Sequence, residues 1–364
     1  DEKRSLAKIA AKRTRNIQAA PLSHTILMRR FFGAYLAHLK GSYSWSCSAI
    51  GMNVYSHDWQ EMIEYLSLGG HEGFDGDFKK FESLFTQDLA DALLHDVVEP
   101  FYKKLDPNWT PADAHMRARL MACTTGAKLL VGLWIVTQSC MNPSGTFGTS
   151  LLINNFTAHN LLGQVYLKLA RVAAPNLANV TCFERFVRKK IYGDDHVVVT
   201  SQKILDFYNF TTVQGAFADM GITYTPAEKG TVDEPACKPV TELQFLANTT
   251  RVDDNLMSGT QLYAVPSEEA MIKPLCWTTN TEPNVDATHT NAEDSLRRSF
   301  GRGYKHFEEF RERLHVSLKK AGIWVPLIDF ASCEQLWRDR VLDAMMYDDD
   351  DQDPHHSYYS TRVT

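Results

Sequence analysis

The stretch Val187-Arg-Lys-Lys-Ile-Tyr-Gly-Asp-Asp-His-Val-Val-Val-Thr200 decides how this chain folds and where its chemistry sits. Its second half, Val197-Val-Val-Thr200, is β-branched and suits a pleated strand. Gly193-Asp194 fits the tip of a tight turn between two strands. The pattern predicts strand, turn, strand, with two adjacent carboxylates, Asp194 and Asp195, at the tip. Gly and Asp are ordinary turn residues, so an isolated Gly-Asp-Asp reads first as a hairpin. It acquires chemistry if another strand brings a third carboxylate to it. Carboxylates are natural ligands of Mg²⁺, and a rigid cluster of them could hold two hard cations about 3.5–4 Å apart.

Working outward, Gly73-Phe-Asp-Gly-Asp-Phe78 reads as a short strand leading to a helix and supplies Asp75 and Asp77. Residues 59–67 and 87–105 have amphipathic helical spacing, with Gly69-Gly70 ending the first. Asn142-Pro-Ser-Gly-Thr-Phe-Gly148 is a turn-rich loop. A helix is expected over 149–172, with apolar residues at 152, 156, 161, 162, 165, 166 and 169. Downstream, 205–220 reads as a helix closed by Gly221, and 241–251 as β-rich. The pattern is helical over 266–273, 291–302 and 304–321. The Asp-rich tail after 346 reads as disordered.

The chain has 364 residues, 44% of them hydrophobic, ample for a packed core. There is no run of eighteen apolar residues to span a bilayer, and the start, Asp1-Glu-Lys-Arg4, has no apolar signal region. The first residue is not Met, which reads as processing from a precursor or as a fragment. The seven cysteines form no CxxC pair, which favours reduced thiols in a cytosolic compartment. None of the thirteen histidines pairs with Cys or Glu at zinc spacing. The net charge of −6 looks unfavourable for a nucleic-acid binder, but its distribution matters more than its sum. Six Asp follow residue 341, whereas Lys3, Arg4, Lys8, Lys12, Arg13 and Arg15 crowd the first fifteen positions.

Taken in order, these segments resemble the motifs of positive-strand RNA virus RNA-dependent RNA polymerases. Tyr192-Gly193-Asp194-Asp195 resembles their motif C, and Asp77-Phe-Lys-Lys-Phe-Glu82 their motif A. Asn142-Pro-Ser-Gly-Thr-Phe-Gly-Thr149 resembles motif B. The nearest resemblance is to picornavirus-like polymerases, including dicistrovirus and marine RNA virus types. Ser48-Ala-Ile-Gly-Met-Asn53 adds to it, and residues 1–250 carry most of it.

The resemblance implies residue roles. Asp77 and Asp194 would be the principal metal ligands and Asp195 would support the second ion. Asp75 is the rival to Asp77, but five residues on it meets Lys80, whereas Asp77 meets Glu82. The family usually has Asp at that second position; the alternative reading of Glu82 is a solvated residue in a first helical turn. Ser144, Gly145, Thr149 and an Asn would help to sense the ribose 2′-hydroxyl. The family Asn lies nine residues after the Ser, yet position 153 is Ile and Asn154 stands at ten. On an ideal helix Ile153 falls about 40° and Asn154 about 140° from Thr149. Either the loop has one extra residue, with Ser150 where Thr is expected, or the Asn is another residue. Lys3, Arg13 and Arg15 resemble the basic motif F that carries the triphosphate, a task suited to the guanidinium fork. The family has a Lys just before the Asp-Glu of that motif, so the N-terminal fingers read as missing. Lys229 matches the motif D lysine that protonates the leaving pyrophosphate. Phe245, Leu246 and Arg251 match a primer-gripping motif E loosely, with Ala247 and Asn248 where basic residues are usual.

What the resemblance implies as a whole is an α+β right-hand polymerase with an antiparallel palm sheet backed by helices. Fingers would be residues 1–34 and 125–141, the palm 35–124 and 142–253, and the thumb 254–364 with its acidic tail. The implied cofactor is Mg²⁺, with Mn²⁺ as a substitute. The implied partners are RNA template and primer, NTPs, a genome-linked protein primer and viral replication proteins. The implied location is the host cell cytoplasm, at membrane-associated replication complexes. Two rivals remain. A reverse transcriptase usually has another residue where Gly193 stands and lacks the Ser-Gly loop. A non-catalytic polymerase-like RNA-binding scaffold would have no use for an intact acidic triad.

Overall fold

The computed structural model describes residue 10 and residues 18–137, 141–142, 145, 147–227, 235–255, 259–276 and 284–339. Its centre is an antiparallel sheet built from strands that the sequence pattern had marked. β1 (Glu72–Phe78) is the middle strand. On one side it pairs with β5 (Asp195–Thr200), which continues through the expected hairpin to β4 (Val187–Tyr192). On the other side two short strands pair with its two ends. These are β6 (Tyr224–Thr225) and β7 (Lys238–Pro239).

Strand periodicity gives the sheet two different faces. Phe74, Phe78, Val187, Ile191 and Val198 pack against two helices, α6 (Asn155–Ala173) and α8 (Phe210–Asp219). α6 forms because Ala158, Leu161, Leu162, Val165, Tyr166 and Ala170 recur on one helical face, all buried. Each such large apolar side chain contributes about 1.5–3 kcal/mol relative to exposure. The opposite face presents Val197 and Val199 to α2 (Asp58–Ser67), through Trp59, Met62, Ile63 and Leu66, and to Val240, Leu243 and Phe245. The strand positions of Asp75, Asp77 and Asp195 give them this second face.

Two further cores are helical. One gathers Met28, Phe32 and Leu36 of α1 (Leu22–Gly41) with Phe85, Leu93, Val98 and Leu120. Its second component runs unbroken from α3 (Gln87–Ala92) through a π turn (Leu93–Val98) into α4 (Glu99–Leu105), the span expected as one helix. α5 (Pro111–Thr125) completes it, started by a capping box between Thr110 and Asp113. α7 (Val180–Phe186) leads directly into β4. The other core joins Tyr263, Leu296, Phe300, Phe307, Phe310, Leu314 and Trp337.

Several elements differ from expectation, among them the helix expected over 291–302, which spans Val285–Ser299. The helix expected at 205–220 begins at Phe210, because Asn209 and Thr212 close a capping box there. The β-rich stretch expected at 241–251 is a short 3₁₀ turn (Val240–Glu242) followed by a hairpin. Its strands are β8 (Asn248–Asn255) and β9 (Gly259–Pro266). A further hairpin, β2 (Lys128–Val131) with β3 (Trp134–Thr137), follows α5. The acidic tail lies outside the described residues.

The edge of the sheet is covered. Ile191 donates its N–H to the Cys47 carbonyl and accepts from Ala49, both at 2.8 Å. Two lysines of β4 are almost fully buried. Lys189 meets Glu184 at 3.1 Å and lies over the Phe183 ring. Lys190 donates to the carbonyls of Tyr43 and Ser46, and burial pushes its ammonium down to about 8. The segment at 43–49 is thereby held against the strand that ends in the acidic turn.

Candidate active site

The β4–β5 turn is the two-residue turn that the sequence suggested: Tyr192 pairs with Asp195, and Gly193 and Asp194 lie between them. Gly193 has φ +70°, and Asp194 is not among the residues with positive φ. This is the pattern of a hairpin turn that needs glycine at its first central position. Asp194 is exposed and Asp195 half-buried.

Strand register brings the third carboxylate. β1 pairs with β5 as Asp75↔Val197 and Gly76↔His196, so the next position along sets Asp77 opposite Asp195. Opposed residues of an antiparallel pair share a face. Asp75, two residues back, shares that face but is only 1% exposed. It accepts from the Gln244 N–H at 2.8 Å and has the Lys238 ammonium at 3.8 Å. Asp77 is half-buried, so of the two rivals it is the one open to a ligand.

The same incoming segment touches Asp195. Gln244 serves Asp75, and two residues on the Leu246 N–H donates to Asp195 Oδ2 at 2.8 Å. Phe245 and Asn248 exchange backbone hydrogen bonds around a tight turn, and its central residues, Leu246 and Ala247, have φ +50° and +59°. Non-glycine residues in that region are strained by about 1–3 kcal/mol each. Burial pushes the Asp195 carboxyl up to about 7; the Leu246 amide opposes this, and the charges of Asp194, Asp77 and Asp75 add to it. Four carboxylates thus lie within electrostatic reach of one another, an arrangement that favours a bound cation.

Among the described residues no three acidic, imidazole or thiol groups already converge as a metal cage. The donor set still fits Mg²⁺, which is held through one or two carboxylates with water and substrate phosphates completing its shell. Asp77, Asp194 and Asp195 are hard oxygen donors on adjacent strand ends, and Asp194 is exposed.

Motif B reaches the turn from the other side. A π turn spans Thr149–Asn154 ahead of α6. Its hydrogen bonds run to the fifth residue, so Asn154 returns to nearly the azimuth of Thr149. Asn154 is next to the acidic turn: a Cβ built on Gly193 would meet its Cβ and Nδ2 at 3.9 Å. Asn142 Nδ2 donates to Asn154 Oδ1 at 2.8 Å, and the Asn142 N–H donates to the Glu82 carbonyl at 3.1 Å. Glu82 itself is exposed, in a short 3₁₀ turn (Phe81–Leu84). Thr149 is half-buried. Gly145 donates to the Gln18 carbonyl at 3.0 Å, which brings the segment after the basic N-terminal stretch against this loop. Lys3, Arg13, Arg15, Ser144 and Lys229 lie outside the described residues. Of the loose motif E match, Phe245 is buried in the core, and Arg251 bonds the Gly301 carbonyl and lies over the Tyr263 ring.

Sequence reading missed two side chains that touch the turn. Asn155 is buried and accepts the Gly193 N–H at 2.6 Å, while its Nδ2 donates to Ser48 Oγ at 2.8 Å. His196 is fully buried, with Nδ1 at 2.9 Å from the Asp194 carbonyl and Nε2 at 2.8 Å from the Tyr224 hydroxyl. Burial lowers the imidazole to about 4 and raises the Tyr224 phenol. A signal existed for His196: it has the parity of the core-facing Val198 in an otherwise apolar strand.

This architecture is that of a right-hand polymerase. A solved chain described as a Sicinivirus 3Dpol RNA dependent RNA polymerase superposes with a TM-score of 0.70 at 20% identity, over 93% of this chain and 66% of that one. The chain belongs to the viral RNA-dependent RNA polymerase family, which it matches over residues 1–316. Its relatives are picornavirus-like polyproteins. It is 26% identical over 341 residues to the genome polyprotein of Rice tungro spherical virus (strain Vt6), covering 93% of this chain and 10% of that one. It is 26% identical over 257 residues to the replicase polyprotein of Acute bee paralysis virus (strain Rothamsted), covering 70% and 13%. The chain therefore spans about a tenth of the length of the curated relatives it matches.

Proposed function

We propose that this chain catalyses template-directed transfer of a nucleoside monophosphate from an NTP to the 3′ end of RNA, with release of pyrophosphate. The observation that carries this reading is the β1–β5 register, which runs to Gly76↔His196 and, continued by one position, sets Asp77 opposite Asp195, beside the exposed Asp194. Asp77 and Asp194 would hold two Mg²⁺ ions, for which Mn²⁺ could substitute, and Asp195 would support the second. The chemistry so supplied would be activation of the attacking hydroxyl and neutralisation of the triphosphate. Lys3, Arg13 and Arg15 bind phosphate oxygens. Glu82, Ser144, Gly145, Thr149 and Asn154 read the ribose. The string from Glu82 through Asn142 and Asn154 to Gly193 supports this, since it joins the sugar-reading positions to the acidic turn. Lys229 gives its proton to the leaving pyrophosphate.

In this reading the palm is residues 35–124 and 142–253, the fingers 1–34 and 125–141, and the thumb 254–364. The central sheet falls within the palm spans, and the last helical core within the thumb. Three elements cross these boundaries, α1 at 34–35, α5 at 124–125 and β8 at 253–254. Family membership supports RNA and NTPs as partners, and the polyprotein relatives support other viral replication proteins in host cytoplasm; a genome-linked protein primer is part of the proposal on the resemblance alone. No helix among the described residues is long and apolar enough to cross a membrane; the proposed location is a membrane-associated replication complex.

The test is extension of an RNA primer on an RNA template with Mg²⁺, comparing NTPs with dNTPs. Metal-dependent extension with NTP preference is expected. Clear dNTP preference would indicate a reverse transcriptase, and RNA binding without extension a scaffold.

A further inference from the structure

The backbone of the acidic turn is fastened at both its ends by buried side chains. At its start, the Gly193 N–H is bonded by Asn155. At its end, the Asp194 carbonyl is bonded by His196. A carbonyl can only accept, so Nδ1 of His196 carries the proton. Nε2 of the neutral ring is then the acceptor, and the Tyr224 O–H donates to it. The carbonyl fixes the tautomer, and the Tyr224 hydroxyl, which can donate or accept, satisfies the remaining nitrogen and holds the ring in place.

The surroundings are built around this chain of bonds. The Tyr224 ring stacks on His196 with centroids 5.6 Å apart, and its backbone carbonyl accepts from Gln214. Gly76, between Asp75 and Asp77, lies against the same ring: a Cβ there would fall 2.1 Å from it. One aromatic group from β6 therefore abuts the strand bearing Asp77 and, through His196, the backbone of Asp194.

We propose that His196 and Asn155 are positioning residues that clamp the Gly193-Asp194 turn, with Tyr224 holding the His196 ring in place, so that Asp194 is preorganised to bind a divalent cation. This rests on the metal role given to Asp194 above. It predicts an effect on cation affinity that loss of core packing alone would not reproduce.

The experiment compares His196→Leu, which removes the Nδ1 donor, with His196→Asn, whose amide can occupy the Nδ1 position. Mn²⁺ affinity is read by water-proton relaxation, alongside thermal midpoint and RNA affinity. Mutating groups that orient metal ligands typically weakens binding about 10–100-fold. A loss of that size is expected for Leu, substantial recovery for Asn, and unchanged RNA affinity for both. Tyr224→Phe, which keeps the ring and the packing, should weaken Mn²⁺ binding in the same direction and covers the case of an unfolded Leu variant. Wild-type Mn²⁺ affinity in the Leu and Phe variants would overturn the proposal. Equal losses in Leu and Asn would also overturn it, since packing alone would then explain them. If the unsubstituted chain binds no Mn²⁺, or Asp194→Asn binds it as tightly, the metal role of Asp194 itself fails; that outcome is distinct from failure of the clamp.

Discussion

At the scale of single residues, the chemistry depends on which carboxylates remain available. Asp75 and Asp77 are two apart on one strand and look alike in sequence, apart from what lies five residues on. The structure separates them by partners: Asp75 is sealed under Gln244 and Lys238, and Asp77 is half-open. Asp195 holds its proton to about pH 7, for lack of solvent and because of its acidic neighbours. A carboxyl raised in the folded state contributes stability that is complete below its unfolded value near 4 and lost as pH rises through the folded value. In EDTA at pH 8, Asp195→Asn should therefore melt above wild type, and the gap should close as pH falls from 7 toward 4. Calorimetry showing no gap at pH 8 would contradict the acidic cluster. Glu82 is exposed on the 3₁₀ turn whose backbone bonds Asn142. Glu82→Asp should shift the NTP/dNTP incorporation ratio if the side chain reads the sugar; an unchanged ratio in competition assays would make it a solvated surface residue.

At the scale of elements, the hairpin, β1 and the main body of α6 were legible because their periodicities are strong and uninterrupted. What escaped was set by other physics. The azimuth of Asn154 could not be read, because a π turn is invisible to a 3.6-residue template. The 205–220 helix was overextended because Ile204, Leu205, Phe207 and Tyr208 look periodic, while Asn209 caps a later start. The Phe245–Asn248 turn places Leu and Ala where both central residues need positive φ, so no turn signal was present. That turn carries the amide that meets Asp195. Ala247 is exposed, so Ala247→Gly relieves strain without removing packing and should stabilise the protein by about 1 kcal/mol in urea denaturation. A destabilised variant would show that the turn is not strained.

At the scale of the whole molecule, family and fold were readable from the order and spacing of short motifs, whereas composition pointed away from a nucleic-acid enzyme. The net charge of −6 is dominated by a terminal acidic run, while the basic residues that would meet phosphate cluster at the other end. Hydrophobic patterning could not reveal how the motifs meet, since strand register aligns Asp77 with Asp195 across more than a hundred residues of intervening chain. RNA affinity is expected to come chiefly from phosphate contacts spread over the surface, and nucleotide addition from the acidic cluster to which Asp194 belongs. The most direct measurement is therefore single-turnover primer extension by Asp194→Asn with RNA affinity measured in parallel. The account predicts loss of nucleotide addition with RNA affinity within about twofold of wild type, because one exposed carboxylate adds nothing to phosphate binding. Full-rate extension by that variant would remove Asp194 from the mechanism.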